Sequence, residues 1–435
     1  MSHAKASREA SASNQRSGTG GEPARPVGAT QAPEHAEPRR SARSEQLLLA
    51  ASRRFAAKGY DATSMNEIAA TVGISGAALY RHFRGKQDLL TQVLLAELDR
   101  LTETVTQTMR ANADEPAEVR LHALATAIAA VAVQRRAVTA VWRWEGTALQ
   151  RSNHALVLAR GSELIERWAA TLLNCRAELS LDAARVLCWA AMSVFGSVAD
   201  HRVRLARREF VPALAEVALA VLRTELPAAD ETSRGQAPGA RPSTRRLQIL
   251  TEATRLFAER GYRAVSMEDI GAAAGIAAPS VYRHYGSKDA ILLVAARSMG
   301  DRLTVDAARV LGREAGPTRA LVGLLHSYTR TLSEFRDLVT VYRREVGNLP
   351  AARRAELIGI QRDYVAQWVE LVLAARPDLD VARAKIVVHA ALAIANDLSA
   401  TSASARLPIP EAHLLAMAGS ALGLPQGRGD LPPQV

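Results

Sequence analysis

The sequence predicts a nearly all-α protein made of two copies of one unit in a single chain. Long Ala/Leu/Arg/Glu segments dominate its 435 residues, and aromatic residues make up only 4%. Without Thr/Val/Tyr alternation, such segments favour helices over sheet. Residues 44–90 align with 246–292 at a gapless offset of 202, with 20 of 47 positions identical. That period is far too long for a solenoid of stacked small repeats and marks a duplication. The net charge is +11; residues 39–90 carry nine Lys/Arg against four Asp/Glu, and 241–292 carry eight against five. Most of the net positive charge therefore sits in the two copies of one short segment, and a concentrated basic patch favours a polyanionic partner.

Within that segment the elements follow in order. Leu48, Ala51 and Phe55 fall at i, i+3 and i+7, one face of a first helix. Lys58-Gly59 ends it with a cation in the last turn and a glycine C-cap. Ser64 and Glu67 form an S-x-x-E capping box that opens a second helix, with Met65, Ile68, Ala69 and Val72 as its buried stripe. Gly73 permits a tight turn, Ile74 plugs it into the core, and Ser75 caps a short third helix. In that helix Leu79 and Phe83 face inward, leaving Ala77, Ala78, Tyr80, Arg81 and Arg84 toward solvent. The result is a three-helix unit ending in a helix-turn-helix. Small residues at the start of the last helix let its backbone approach base edges in a major groove. Tyr80, His82 and Lys86 can then donate to phosphates on either side.

Downstream the repeat weakens and the offset becomes 200: "VWRWE" (141–145) meets "VYRRE" (341–345), and Trp168 meets Trp368. Arg143-x-Glu145 recurs as Arg343-x-Glu345 and is expected to be a structural ion pair. Only two cysteines occur, Cys175 and Cys188, expected as buried thiols in a reducing compartment. No Gly-rich phosphate loop, nucleophile motif or metal-ligand spacing is present, so catalysis is not expected. The N-terminus lacks a signal-peptide apolar core, and the apolar run at 123–133 is too short to span a bilayer. A soluble cytoplasmic protein without a membrane partner is expected.

The pattern F-A-x-K/R-G-Y, S-M-x-x-I-A/G, G-I, L/V-Y-R-H-F/Y and K, present in both copies over 47 residues, resembles the DNA-binding domain of the TetR family of bacterial transcriptional regulators. The resemblance implies two tandem TetR-like units. Each would be a helix-turn-helix DNA-binding domain followed by a helical ligand-binding and dimerisation domain. It also implies a double-stranded DNA operator, a small-molecule effector, no cofactor, and repression as the usual mode. The expected domains are 41–90 and 91–223, then 243–292 and 293–423. A disordered tail (1–40), a linker (224–242) and a second tail (424–435) flank them.

Carried onto this sequence, the resemblance makes Tyr80, His82 and Lys86, with Tyr282, His284 and Lys288, the phosphate contacts. The base-reading stretch is Ser75, Gly76, Ala77 and Ala78 in copy one and Ala277, Ala278, Pro279 and Ser280 in copy two. Arg81, Arg283 and the capping Ser64 and Ser266 complete the candidate DNA-contacting set. The phosphate-facing residues are kept and the base-facing ones differ, as two unlike half-sites would require. A single-chain pseudodimer on an imperfect palindrome is therefore expected. A chain with one active head, or a homodimer presenting four heads, remains an alternative. The helices at about 181–223 and 380–422 would form the dimer-like bundle. Trp142, Trp144, Trp168 and Trp189, opposite Tyr342, Arg344, Trp368 and His389, are candidate effector-pocket positions, Arg344 excepted. Asn396-Asp397 interrupts an apolar stretch, and Asn396 is a further candidate ligand anchor. The swaps at 144/344 and 189/389 suggest unequal pockets.

Overall fold

The computed structural model describes residues 42–145, 148–228, 244–403 and 409–425, and among these every regular element is helical. The expected tails at 1–40 and beyond 425, and most of the linker, lie outside the described residues. Copy one contributes nine α-helices. These are α1 (Ala42–Lys58), α2 (Met65–Thr71), α3 (Gly76–Tyr80), α4 (Lys86–Ala111), α5 (Ala117–Gln134), α6 (Arg136–Glu145), α7 (Arg151–Cys175), α8 (Leu181–Gly196) and α9 (Arg207–Leu222). Copy two repeats them as α10 (Arg245–Arg260), α11 (Met267–Ala273), α12 (Ala278–His284), α13 (Lys288–Leu311), α14 (Pro317–Glu334), α15 (Arg336–Glu345), α16 (Ala351–Ala375), α17 (Val381–Ala403) and α18 (Glu411–Leu422).

The first three helices of each copy form a head. Gly59 and Gly261 end α1 and α10 in the positive-φ region, at 85° and 84°, where a side chain is disfavoured. Leu47, Ala51 and Phe55 from α1, Ile68 from α2 and Leu79 from α3 are fully buried together. Each large apolar side chain so buried contributes about 1.5–3 kcal/mol. The expected boundary at 90 falls inside α4, and that at 292 inside α13. Head and body thus share one continuous helix of 26 residues in copy one and 24 in copy two.

The two copies pack on each other within the chain: α8 lies against α17, and α9 against α18. Ala184, Ala190 and Ala191 of α8 and Ala384, Ala390 and Ala391 of α17 are fully buried. Such small residues let helix axes approach closely. One apolar core runs from head one through both bodies, whereas head two is closed by a second cluster around Ile249, Phe257, Ile270 and Val281.

Several sequence expectations need correction. Thr224, assigned to the linker, is fully buried, and its Oγ1 donates to Ser420 Oγ at 2.8 Å across the copy interface. Leu424, assigned to the tail, closes α18 instead: its N–H reaches Gly419 O at 2.9 Å past Gly423 at φ 73°, a C-terminal cap with its apolar contact. Cys188 is buried as expected, but Cys175 is only half-buried. α5, and α8 together with the turn that continues it to Ala199, are long and apolar enough to cross a membrane by length and composition alone, yet Leu121, Leu124 and Ile128 of α5 and most of α8 are packed inside the protein.

Candidate nucleic-acid interface and sensor cavity

The capping boxes form as the sequence requires. Ser64 Oγ accepts from Glu67 N at 3.2 Å while Glu67 Oε2 accepts from Ser64 N at 2.8 Å. Lys58 binds Glu67 at 2.6 Å and, with the two serine bonds, holds its carboxyl down to about 2. Ser266 and Asp269 repeat the box in copy two. Ser64 and Ser266 are exposed, and their hydroxyls are engaged in these caps, which start the second helix of each head.

α3 starts from Ser75, whose Oγ accepts from Ala78 N at 3.2 Å. α12 has no side-chain cap; Ala277 takes the N-cap position and Pro279 sits in the first turn, where its missing N–H is harmless. Ala77 and Pro279 are exposed at matching positions of the two heads. Tyr80 is 54% exposed and Tyr282 50%. Arg81, His82 and Arg283 are also exposed, and His284 is half-buried. Arg283 reaches back to Ser280 Oγ at 2.7 Å, which steadies it beside the variable stretch. Each head therefore presents a short helix with small residues at its start and a Tyr-Arg-His edge behind.

Gly76 and Gly271 carry the close approach of the second and third helices, one in each copy. A β-carbon on Gly76 would fall 1.9 Å from the Asn66 amide oxygen, the movable end of a side chain. On Gly271 it would fall 2.7 Å from the Ile276 carbonyl, which is backbone. Gly271→Ala is expected to destabilise the protein by about 1–3 kcal/mol, and Gly76→Ala by clearly less. Thermal unfolding of the two variants reads the difference.

Lys86 and Lys288 do not reach outward. Lys86 Nζ donates to the carbonyls of Tyr60, Asp61 and Thr63 at 2.8, 3.3 and 2.9 Å and lies over the Tyr60 ring. Lys288 binds the Tyr262 and Val265 carbonyls at 2.9 and 2.8 Å and lies over the Tyr262 ring. Three donors facing carbonyls leave Lys86 little for phosphate. Both lysines instead lock the turn after the first helix onto the start of α4 or α13. The joint recurrence of Tyr60 with Lys86 and Tyr262 with Lys288 was the signal available in the sequence.

The heads meet at those turns: Arg263 binds Asp61 at 2.9 Å and also donates to Asn348 Oδ1 at 3.1 Å. The bodies meet through buried charges. Arg143, with a side chain 7% exposed, binds Asp200 at 2.8 Å and, across the interface, Asp397 at 2.6 Å. Arg343 binds the same Asp397 at 3.0 Å and the Asn396 carbonyl at 2.9 Å. The expected pairing of Arg343 with Glu345 is therefore replaced: Glu345 accepts from Asn348 instead. Arg143 binds Asp200 and Asp397, and its expected pairing with Glu145 concerns a side chain that lies outside the described residues. Burial pushes Asp200 up to about 6 despite Arg143, while the two arginines outweigh burial and keep Asp397 below the usual carboxylate range.

Beside this network, His201 and His389 face each other across the copies with ring centroids 4.9 Å apart. Burial, helped by His389, Arg136 and Lys385, pushes His201 down to about 3, and burial, helped by Arg143, Lys385 and Arg136, pushes His389 down to about 4. The unfolded imidazoles take protons near pH 6.5, so below that value the unfolded state binds more protons and stability falls with pH. Each contributes up to about 1.4 kcal/mol per pH unit in that window. Asp200 acts with the opposite sign, so the comparison is with His389→Phe, whose melting temperature should fall less steeply between pH 6.5 and 4.5.

A cavity of about 830 Å³ opens in copy two. Tyr342, His389 and Asn396, three candidate pocket residues, are among its walls, together with Tyr328 and Tyr364. Tyr328 donates to Asn396 Oδ1 at 3.1 Å, and burial pushes its hydroxyl up to about 12. Trp142, Trp168, Trp189 and Trp368 are not among the walls of this cavity; Trp142 and Trp189 are half-buried, and the reading of Trp168 and Trp368 as pocket residues is corrected. Trp168 stacks on Phe195, and Trp368 packs edge-on to Tyr328 and Tyr364, both as fully buried core. The Trp144 side chain lies outside the described residues. At the positions of Tyr328, Tyr364 and Gly300, copy one carries Ile128, Leu164 and Leu98, all buried. Where copy two has two tyrosines and a glycine, copy one thus has three buried aliphatic side chains. Among the described residues no group of three or more His, Cys, Asp or Glu could hold a metal.

Comparison with known proteins agrees with this architecture. Residues 47–93 and 249–295 each match "Bacterial regulatory proteins, tetR family", and 314–400 match "Tetracyclin repressor-like, C-terminal domain". The HTH-type transcriptional repressor KstR2 of Mycobacterium tuberculosis (strain H37Rv) is 30% identical over 146 residues, 32% of this chain and 73% of that protein. The HTH-type transcriptional activator FasR of Mycolicibacterium smegmatis is 41% identical over 81 residues, 19% of this chain and 37% of that protein. The solved structure of the ketosteroid transcriptional regulator KstR2 of Mycobacterium tuberculosis aligns with 42% of this chain and 95% of its own, at 25% identity and a TM-score of 0.36. With two matching heads, a matching body and a relative covered over most of its length, the chain belongs to the TetR family of DNA-binding transcriptional regulators.

Proposed function

We propose that the chain is a ligand-responsive repressor that works as a single-chain pseudodimer, with one head on each half-site of an imperfect palindrome. The observation that carries this is the packing of α8 and α9 on α17 and α18 inside one chain. The helix faces that a dimer of single-unit regulators would pair are here occupied by the other copy. The tie between Arg143 and Asp397 fixes that pairing across 254 residues of sequence. A homodimer with four heads would need a further surface.

In this reading Tyr80, His82, Tyr282 and His284 bind phosphates and set the register, and Arg81 and Arg283 add charge. Ser75 to Ala78 and Ala277 to Ser280 face the bases. The two stretches differ at every position, which favours unlike half-sites. The chain acts by binding rather than by catalysis, without a cofactor, on the nucleoid in the cytoplasm and away from membranes. The repressor relatives favour repression. Effector binding in copy two would be relayed to the heads through α13 and the Arg143–Asp397–Arg343 contacts, a coupling between two sites. A gel-shift series with the natural operator and two symmetrised versions tests the asymmetry. The natural sequence should bind at least tenfold tighter than either symmetric one; equal affinity for all three would remove the unlike-half-site reading.

A further inference from the structure

The copy-two cavity is not confined to copy two. Its walls include Ala56 to Ala62 of head one, the end of α1 and the turn that follows it, as well as Arg143 and Asp200 of the copy-one body. Ala56, Ala57 and Lys58 are exposed, so this edge of head one faces open space. The inner wall is apolar and aromatic, with Leu332, Leu357, Tyr364 and Leu392 buried in it. The mouth is cationic. Arg344 and Arg354 are exposed there and form no ion pair with a described residue, and Arg263 is shared between Asp61 and Asn348. Three guanidiniums stand at the entrance to a space the size of a small-molecule site, with Asp61 on Arg263 and the part-buried Glu345 carboxylate near Arg263 and Arg344.

We propose that this seam cavity binds one anionic amphiphile per chain, and that the molecule contacts head one directly. Its apolar body occupies the copy-two interior, and its carboxylate or phosphate rests at the mouth on Arg344 and Arg354. There it competes with Asp61 for Arg263, the contact that ties the turns of the two heads. That tie is exposed, with side chains 66% and 57% accessible, and exposed pairs are weak enough to be exchanged. A charge-assisted bond from the guanidinium to the ligand replaces it, and the released Asp61 carboxylate, 57% accessible, is taken up by water. The effector is therefore sensed by the body of one copy and felt by the head of the other. The proposal rests on the ligand-responsive reading above and deepens it.

The test is calorimetric titration of the full chain at submicellar concentrations with dodecanoate, dodecyl phosphate and neutral dodecanol. Both anions should bind with one molecule per chain and at least tenfold more tightly than dodecanol; the ratio of the two anions tells which head group the mouth prefers. Arg344→Ala with Arg354→Ala should reduce that preference at least fivefold. Ala57→Trp, a surface change on head one, should weaken both anions at least threefold while circular dichroism stays unchanged. Equal binding of dodecanol, two molecules per chain, no binding of either anion, or indifference to Ala57→Trp would each overturn the proposal. DNA affinity of the unliganded chain, measured in parallel, tests the regulatory reading separately.

Discussion

Replacing Arg143 by alanine is expected to cost about 3–5 kcal/mol of folding stability at neutral pH, because it strips a buried charge network of its centre. Asp200 loses its ion-pair partner, and Asp397 loses the closer of its two arginines while keeping Arg343. Burial has already raised Asp200 to about 6 with Arg143 in place, so without it the carboxyl takes up a proton on folding. Urea denaturation at pH 7 reads the loss. Combining Arg143→Met with Asp200→Asn should recover part of it, since the uncompensated charge is then gone. A single-variant loss below about 1 kcal/mol would mean that water reaches the network and that it does not join the copies. The consequence for function follows from position: Arg143 lies at the cavity wall and binds the other copy. Its loss should therefore also loosen the fixed relation of the two bodies.

Tyr80→Ala and Tyr282→Ala should each weaken operator binding about tenfold to a hundredfold. The basis is a hydrogen bond to a charged phosphate, worth about 1.5–3 kcal/mol. Both side chains are about half exposed, at 54% and 50%, so the fold should be little changed. The double variant should lose both contributions. Fluorescence anisotropy on a labelled operator, repeated at several salt concentrations, measures them. Loss of affinity with Tyr80→Ala but none with Tyr282→Ala would show that head two is a passive copy, and the pseudodimer would be a one-headed regulator.

The heads were legible in the sequence because their determinants are local. A serine three residues before Glu67, a glycine after Lys58, and apolar residues at helical spacing each act within one turn, and the second copy provided an internal control. What the sequence hid is tertiary. Lys86 looked like a phosphate ligand, yet its partners are carbonyls 23 to 26 residues away. Arg143 also binds an aspartate 254 residues on, a partner that no local pattern points to. The polar break at Asn396-Asp397 was visible, and it marks both the ion network and the tyrosine contact. The tryptophans misled because aromatic residues at helical spacing serve packing as readily as binding. In copy two the tyrosines and a glycine, rather than the tryptophans, bring hydroxyls and space together. Nothing local announces that head one closes a cavity in the other copy.

The most direct test of one chain carrying a complete two-headed reader is the mass of its complex with operator DNA, measured by light scattering alongside a footprint. The account predicts one chain per operator, with two protected half-sites that respond separately to Tyr80→Ala and Tyr282→Ala. Two chains on the same protected stretch, each contributing one head, would contradict it.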